Sequence, residues 1–227
     1  ITEKQKTSCW FVERGNGDKL LFDIGSGSME NLSRLRPDWS NVDKAFVDAQ
    51  RAAWAWDIEG RRTGFPIEGD KVIAHEFDFR NEGVIYEENG VTIRSFPQIH
   101  SLDGSVGFTL EWNGLKLVYG GDSYPSKTFV NAAQGADLVI HEVMMAVEDW
   151  IKKYKFPPPR ALEVGTQIHT SPEAFGKIMS VVKPRMAVGF HFFNDFDTVL
   201  AVESGIRTTY DGPLSLADDY LVWNVTK

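Results

Sequence analysis

The hydrophobic period of the chain changes after Tyr119, and this change constrains the fold more than any other feature. Between Lys71 and Val118, short apolar runs alternate with polar turns, and two of these turns are the Asn-Gly pairs at 89–90 and 113–114. An Asn-Gly pair between apolar runs is the strongest short-range signal for a β-hairpin. Antiparallel strands are therefore predicted at Val72–His75, Val84–Glu87, Val91–Phe96, Val106–Trp112 and Leu115–Tyr119.

Beyond Tyr119, segments with helical spacing alternate with short apolar runs. The expected helices are Thr128–Ala133, Met144–Lys155 and Thr170–Val182, the expected strands are Leu138–Ile140, Met186–Phe190 and Tyr220–Val225, and Pro157–Pro159 is expected to be a loop. Ser171 followed by Pro172 predicts an N-cap and the first turn of the third helix. Strands followed by alternating helices and strands predict an α/β fold, with two sheets flanked by helices in an αββα sandwich.

The N-terminal part carries a hairpin signal of its own, because the apolar runs Cys9–Val12 and Lys19–Phe22 flank Asn16-Gly17. Helices are expected at Met29–Leu35 and Asp48–Trp56. The chain has 227 residues, of which 42% are hydrophobic, which is enough for one sizeable core. Residues 1–227 are therefore expected to form a single domain.

Composition narrows the partners and the compartment. The net charge of −8 disfavours nucleic acid, because phosphate binding relies on Lys and Arg. A single cysteine excludes an internal disulfide, which fits a soluble protein of either the cytoplasm or the periplasm. No apolar run has the length of a membrane span, so no membrane association is expected. The start at Ile1 rather than Met suggests that an N-terminal segment was removed.

Four of the five histidines stand where layered α/β folds place their sites. His100, His141 and His191 follow predicted strands, and His169 precedes a predicted helix. Any one of them alone is more often structural than a ligand. Asp122 follows the Gly-Gly pair at 120–121, where a carboxylate either caps a turn or approaches a cation closely. Together His100, Asp122 and His191 offer nitrogen and oxygen donors that suit Zn²⁺ or another borderline first-row metal.

The order of these motifs resembles the metallo-β-lactamase superfamily, and in particular its ribonuclease Z and arylsulfatase-like small-molecule hydrolase branch. The matching motifs are Asp23-Ile-Gly25, His100, Gly121-Asp122, Ile140-His-Glu142, His169-Thr-Ser171 and His191. The resemblance implies a binuclear zinc site in the intact protein. His100 and His191 would each bind one of the two ions, and Asp122 would bridge them. Glu142 and His169 would assist proton transfer, and Asp23 would be a structural acid beneath the metal loop.

The chain departs from this family in one large respect. The family's His-x-His-x-Asp-His loop would follow the strand expected at Asn41–Val47, and no such motif occurs in the sequence. A segment is therefore expected to be missing near Lys44 and Ala45, and the family's first strand is also absent. The predicted sandwich is incomplete in these two places.

The resemblance implies a hydrolase that uses a zinc-activated water on a small molecule. Esters, phosphoesters, sulfate esters and aryl halides are all open as substrates, because this fold hosts many reactions. The alternatives are a ribonuclease Z-like phosphodiesterase and a non-catalytic, metal-free member of the fold. A homodimer is expected because five large aromatics, Trp10, Trp39, Trp54, Trp56 and Trp150, are candidates for an interface or a substrate pocket. The basic segment around Pro157–Arg160 is interpreted as a solvated helix face.

Overall fold

The computed structural model describes residues 9–14, 19–23, 75–101 and 103–227. The chain divides into two compact units, residues 1–76 and 77–227. In the first unit, strands β1 (Trp10–Glu13) and β2 (Lys19–Phe22) pair antiparallel, which confirms the N-terminal hairpin. The predicted helices at 29–35 and 48–56 and the junction between Lys44 and Ala45 lie outside the described residues.

The second unit is built on a seven-stranded sheet in the order β3-β4-β5-β6-β7-β8-β9. Its strands are β3 (Gly83–Glu88), β4 (Val91–Pro97), β5 (Val106–Trp112), β6 (Leu115–Tyr119), β7 (Leu138–Glu142), β8 (Met186–Phe190) and β9 (Leu214–Leu216). Strands β3 to β6 pair antiparallel, and β6 to β9 pair parallel. Asn89, Gly90, Asn113 and Gly114 all have positive φ, as the two-residue turns of such hairpins require.

Helices connect and cover the parallel strands. They are α1 (Lys127–Ala132), α2 (Val147–Tyr154), α3 (Pro158–Glu163), a π-helix (Val164–Ile168) that we call the π turn, α4 (Pro172–Val182) and α5 (Phe196–Arg207). Phe129, Phe175 and Ile206 from three of these helices are fully buried in one core with Val139 and Ala187 of the sheet. Within the described residues, no helix is both long and apolar enough to cross a bilayer.

Two predicted elements are wrong, and one helix was not predicted. The segment 220–225 is not a strand, because Tyr220 has a positive φ and Val222 is 73% exposed, so it neither follows strand geometry nor pairs. The prolines at 158–159 open α3 instead of forming a loop, since proline suits the first helical turn, where its missing N–H is not needed. Helix α5 begins after the N-cap Asp195. Of the strand predicted at 72–75, only His75 is described, and it is not in a strand.

The topology brings four strand ends to one edge of the sheet. Strands β4 and β6 are both antiparallel to β5, so they run in the same direction, and β7 and β8 run parallel to β6. The residues that follow these four strands therefore lie along a single edge. His100, Asp122 and His191 follow β4, β6 and β8, and Glu142 is the last residue of β7.

Candidate metal centre

Asp122 and His191 form a close pair at this edge. Their Oδ2 and Nε2 atoms lie 3.4 Å apart, and both side chains are about one-third exposed. Two ligands of one tetrahedral zinc, with bonds of roughly 2.0–2.2 Å, lie roughly 3.3–3.6 Å apart. The spacing also allows a simple ion pair, but the donor types and their access to solvent fit a shared metal ion.

The backbone on both sides of this pair adopts conformations that few residues tolerate. His191 has φ of 77°, and such positive values in a non-glycine residue cluster at functional sites. Asp122 follows Gly121, whose φ is 60°, and Gly120, where an added Cβ would lie 2.7 Å from the His141 ring. The two glycines therefore let the chain turn tightly beneath Asp122.

His100 is held by the carbonyl oxygen of Ile168. Its Nδ1 donates to that oxygen at 3.4 Å, which leaves Nε2 as a lone-pair donor suited to a metal. The loop before His100 is tied to the Asp122 loop, because Gln98 donates to the Gly120 carbonyl at 3.0 Å and Tyr124 N–H donates to the Ile99 carbonyl at 2.7 Å. These bonds fix the two loops together.

Glu142 and His169 form a buried pair beside these residues. His169 Nδ1 lies 2.9 and 3.0 Å from the two oxygens of Glu142, whose side chain is fully buried. Ser123 N–H donates to Oε1 at 2.5 Å. Burial raises the pKa of Glu142, and the charge of Asp122 adds to this, while His191 and the N–H groups of Ser123 and Thr170 oppose it. Burial lowers the pKa of His169. Both shifts favour the neutral groups.

His141 faces away from the cluster, because consecutive side chains of a strand point to opposite faces of the sheet. It is fully buried against Phe129, with ring centroids 4.3 Å apart. Its Nδ1 donates to the Glu142 carbonyl oxygen at 2.7 Å. Burial lowers the pKa of His141 to about 4, so the ring is neutral. His141 is therefore a structural residue of the core.

The predicted site residues thus converge. The ring centroids of His100 and His169 lie 5.3 Å apart, and those of His169 and His191 lie 5.1 Å apart. Among the described residues, the trio whose donor atoms all lie within 4.8 Å of one another is His100, Glu142 and His169. Of the predicted ligands His100, Asp122 and His191, the pair in contact is Asp122 and His191. The roles of the individual residues stay predictions.

Sequence reasoning missed the residues that support the site. Ser123 supplies the N–H for Glu142, and the Thr170 hydroxyl donates to the Ser123 carbonyl at 2.7 Å. The π turn places the Ile168 carbonyl beside His100. These groups act through backbone atoms or one hydroxyl, and such roles leave little signal in residue type.

No family model matches the chain. A segment is 34% identical over 106 residues to ribonuclease Z of Mycobacterium tuberculosis strain H37Rv, covering 43% of this chain and 36% of that protein. Another match is 29% identical over 99 residues to ribonuclease Z of Mycobacterium marinum, covering 43% of this chain and 35% of that protein. These matches span less than half the length of the curated relatives.

Among solved structures, the metallo-β-lactamase fold protein YhfI from Bacillus subtilis superposes with a TM-score of 0.68. The alignment covers 99% of this chain and 94% of that one, at 18% identity. The architecture is a mixed α/β fold with polar residues gathered at one sheet edge. It is the metallo-β-lactamase fold, as the motif order predicted.

Proposed function

We propose that this protein is a metal-dependent hydrolase. The observation that carries the proposal is the 3.4 Å spacing of Asp122 and His191 beside the buried Glu142–His169 pair. A ligand pair open to solvent and a proton-accepting pair at the same edge are what metal-assisted hydrolysis requires. An ion pair with only a structural role would not need the second pair.

The residues divide into two roles. His100, Asp122 and His191 would hold the metal, which supplies a water of lowered pKa as the nucleophile. Glu142 accepts a hydrogen bond from His169 Nδ1, which fixes the tautomer and leaves Nε2 to exchange a proton with the leaving group. Burial lowers the pKa of His169, which favours the neutral ring, so Nε2 can take a proton from the attacking water and pass it to the leaving group.

The substrate we propose is a small molecule with a phosphodiester bond. The similarity to proteins named ribonuclease Z supports phosphodiester chemistry over carboxylic esters, sulfate esters or aryl halides. The net charge of −8 supports a small substrate over a polyanion.

The test compares p-nitrophenyl acetate, p-nitrophenyl sulfate and bis(p-nitrophenyl) phosphate as substrates of the zinc-loaded protein. We expect hydrolysis of the phosphodiester, its loss on chelation and its recovery with Zn²⁺. His75→Ala is the matched control, because His75 is an exposed histidine outside the proposed ligand set, and it should retain activity. Hydrolysis that survives chelation would contradict metal dependence.

RNA is the second candidate substrate, because the curated relatives are named ribonuclease Z. Cleavage of a structured RNA with a kcat/KM far above that for bis(p-nitrophenyl) phosphate would favour this class. A protein that purifies without metal and hydrolyses nothing would instead be a non-catalytic member of the fold.

A further inference from the structure

Gln98 follows β4 directly, and all the polar groups of its side-chain amide are bonded to the loop of residues 120–126. Its Nε2 donates to the Gly120 carbonyl oxygen at 3.0 Å and to the Ser123 hydroxyl at 3.2 Å. Its Oε1 accepts from the Ser126 hydroxyl at 3.0 Å. A carbonyl oxygen can only accept, so the bond to Gly120 shows which end of the amide carries the nitrogen. The side chain therefore bridges two segments that are 22 to 28 residues apart in sequence.

The partners of Gln98 belong to a buried polar network. Ser123 has no exposed surface, and Ser126, which caps α1, is 8% exposed. The Ser123 hydroxyl lies 3.4 Å from the Gly120 carbonyl oxygen and 3.4 Å from Nε2 of His141. The proton of this ring is on Nδ1, which donates to a carbonyl oxygen, so Nε2 is an acceptor. The network thus joins the end of β4, the loop after β6 and strand β7 through one glutamine.

The segment that carries His100 is partly exposed. Ile99, which lies between Gln98 and His100, is 52% exposed. A backbone bond ties this segment to the loop after β6, since Tyr124 N–H donates to the Ile99 carbonyl oxygen at 2.7 Å. The Gln98 amide adds its own bonds to the same loop, and its partners stand on both sides of Asp122. The position of His100 relative to Asp122 therefore depends on polar contacts, several of which Gln98 supplies.

We propose that Gln98 is a positioning residue, which sets the place of His100 relative to Asp122 without touching the substrate itself. The inference rests on the proposed function, in which both of these side chains belong to the hydrolytic site. It goes beyond that function by giving a role to a residue that neither binds nor reacts. A residue that only stabilises the fold would change how much protein is folded, whereas a positioning residue changes the rate constant of the folded protein.

Gln98→Met is the sharpest variant, because methionine has nearly the same length and can form none of the hydrogen bonds of the amide. Substrate contacts are unchanged in this variant, so KM for bis(p-nitrophenyl) phosphate should change by less than about threefold. The value of kcat should fall by about 10–100-fold, because a displacement of about 1 Å can cost that much even when the mutation is away from the chemistry. Gln134→Met is the matched control, since Gln134 is exposed and donates to the Val130 carbonyl of α1. It should keep the native kcat.

Hydrogen exchange gives a readout that needs neither metal nor substrate. The N–H of Tyr124 joins the two segments, so its exchange rate reports how firmly they are held together. In Gln98→Met this amide should exchange about fivefold faster or more, because the side-chain bonds that support it are lost. The amides of β7 should exchange at the native rate in the same variant. A general loss of stability would instead speed the exchange of β7 as well.

Each outcome decides the inference. Faster exchange at Tyr124 but not in β7, together with a lowered kcat, supports it. Native kcat in Gln98→Met, unchanged exchange at Tyr124, or equal acceleration in β7 each overturns it. If Gln98→Met does not fold, Gln98→Asn is judged by the same criteria, because its amide is one methylene shorter and cannot keep all the bonds. A native protein that hydrolyses none of the three esters refutes the proposed function, and exchange alone then decides whether Gln98 holds the two segments.

Discussion

Glu142 is a fully buried carboxyl group at this edge of the sheet, and several hydrogen bonds hold it there. A carboxylate with no exposed surface is costly unless it is neutral or fully hydrogen-bonded. Here it accepts from Ser123 N–H and from His169, and burial raises its pKa. The raised pKa of Glu142 and the lowered pKa of His169 both favour a neutral pair over an ion pair.

Replacing His169 by alanine should therefore affect turnover and spare the metal. General acid–base assistance is worth about 10²–10⁴-fold in rate, so kcat of His169→Ala should fall by about that factor. Steady-state kinetics and zinc analysis on the same sample check this. Loss of zinc from the variant would show that His169 is a ligand or supports one. A variant that keeps both its zinc and its turnover would show that His169 only anchors α4.

At this scale the sequence predicts much of the cluster. Positions after predicted strands indicate His100, Asp122 and His191, and the resemblance to the metallo-β-lactamase superfamily adds Glu142 and His169. Adjacent side chains of a strand point to opposite faces of the sheet, so a predicted strand at this position also places His141 and Glu142 on opposite faces. The supporting N–H and carbonyl groups could not be predicted, since every residue type carries them.

At the scale of elements, the π turn that follows α3 holds the backbone of His169 in place. The Val164 carbonyl oxygen accepts a hydrogen bond from the N–H of His169 at 3.1 Å. The two residues are five apart, which is the spacing of hydrogen bonds in a π-helix. The Thr166 hydroxyl donates to the Leu162 carbonyl at 2.7 Å. This hydroxyl therefore supports the wider turn. The sequence predicted a proline loop just before it, because Pro-Pro-Pro signals a break more strongly than a helix start.

Thr166→Val should loosen this turn, whereas Thr166→Ser should not. Thr166 is exposed, so loss of its hydrogen bond should cost only about 0.5 kcal/mol in the free energy of unfolding. The local effect should be larger: the His169 amide should exchange its hydrogen faster in Thr166→Val than in Thr166→Ser. Equal exchange in the two variants would show that the hydroxyl does not hold the turn.

Helix α5 begins at Asp195, which also ties it to α2. Asp195 accepts from Thr198 N–H at 3.1 Å, from the Tyr154 hydroxyl at 2.8 Å and from Lys153. Burial raises the pKa of Asp195, but the hydrogen bonds from Lys153, Thr198 and Tyr154 outweigh it and hold the pKa well below its usual range. One carboxylate thus caps one helix and anchors another.

This cap gives a prediction with a pH sign. Asp195→Ala should lower the free energy of unfolding by about 0.5–2 kcal/mol, while Asp195→Asn should keep most of the cap. Because the folded-state pKa is depressed, the stabilisation from the charge is complete above the usual value of 3.8 and is lost as the pH falls below it. The stability difference between the native protein and Asp195→Asn should therefore shrink in acid. Urea unfolding on both sides of that pH measures it, and a constant difference would contradict it.

At the scale of the whole molecule, local signals predicted the antiparallel strands best. β5 and β6 fall at the predicted residues because the Asn113-Gly114 turn fixes where one strand ends and the next begins. The C-terminal part was harder, since Leu214–Leu216 is too short to show a period and pairs with β8 only through the parallel sheet. The segment 220–225 has the apolar composition of a strand but pairs with none of the described strands.

The net charge of −8 makes ionic strength a test of substrate class. A protein that holds RNA through 6–10 phosphates loses about 10³–10⁵ in affinity between about 50 and 200 mM salt, because bound counterions are released. A small phosphodiester carries one charge, so screening acts on a single weak repulsion and kcat/KM should change by less than about twofold over the same range. The measurement is kcat/KM for bis(p-nitrophenyl) phosphate and for a structured RNA at both salt concentrations, with zinc content checked at each. Rapid RNA cleavage that collapses as salt rises, against slow and salt-independent hydrolysis of the small ester, would assign the protein to the nucleases and contradict the small-molecule proposal.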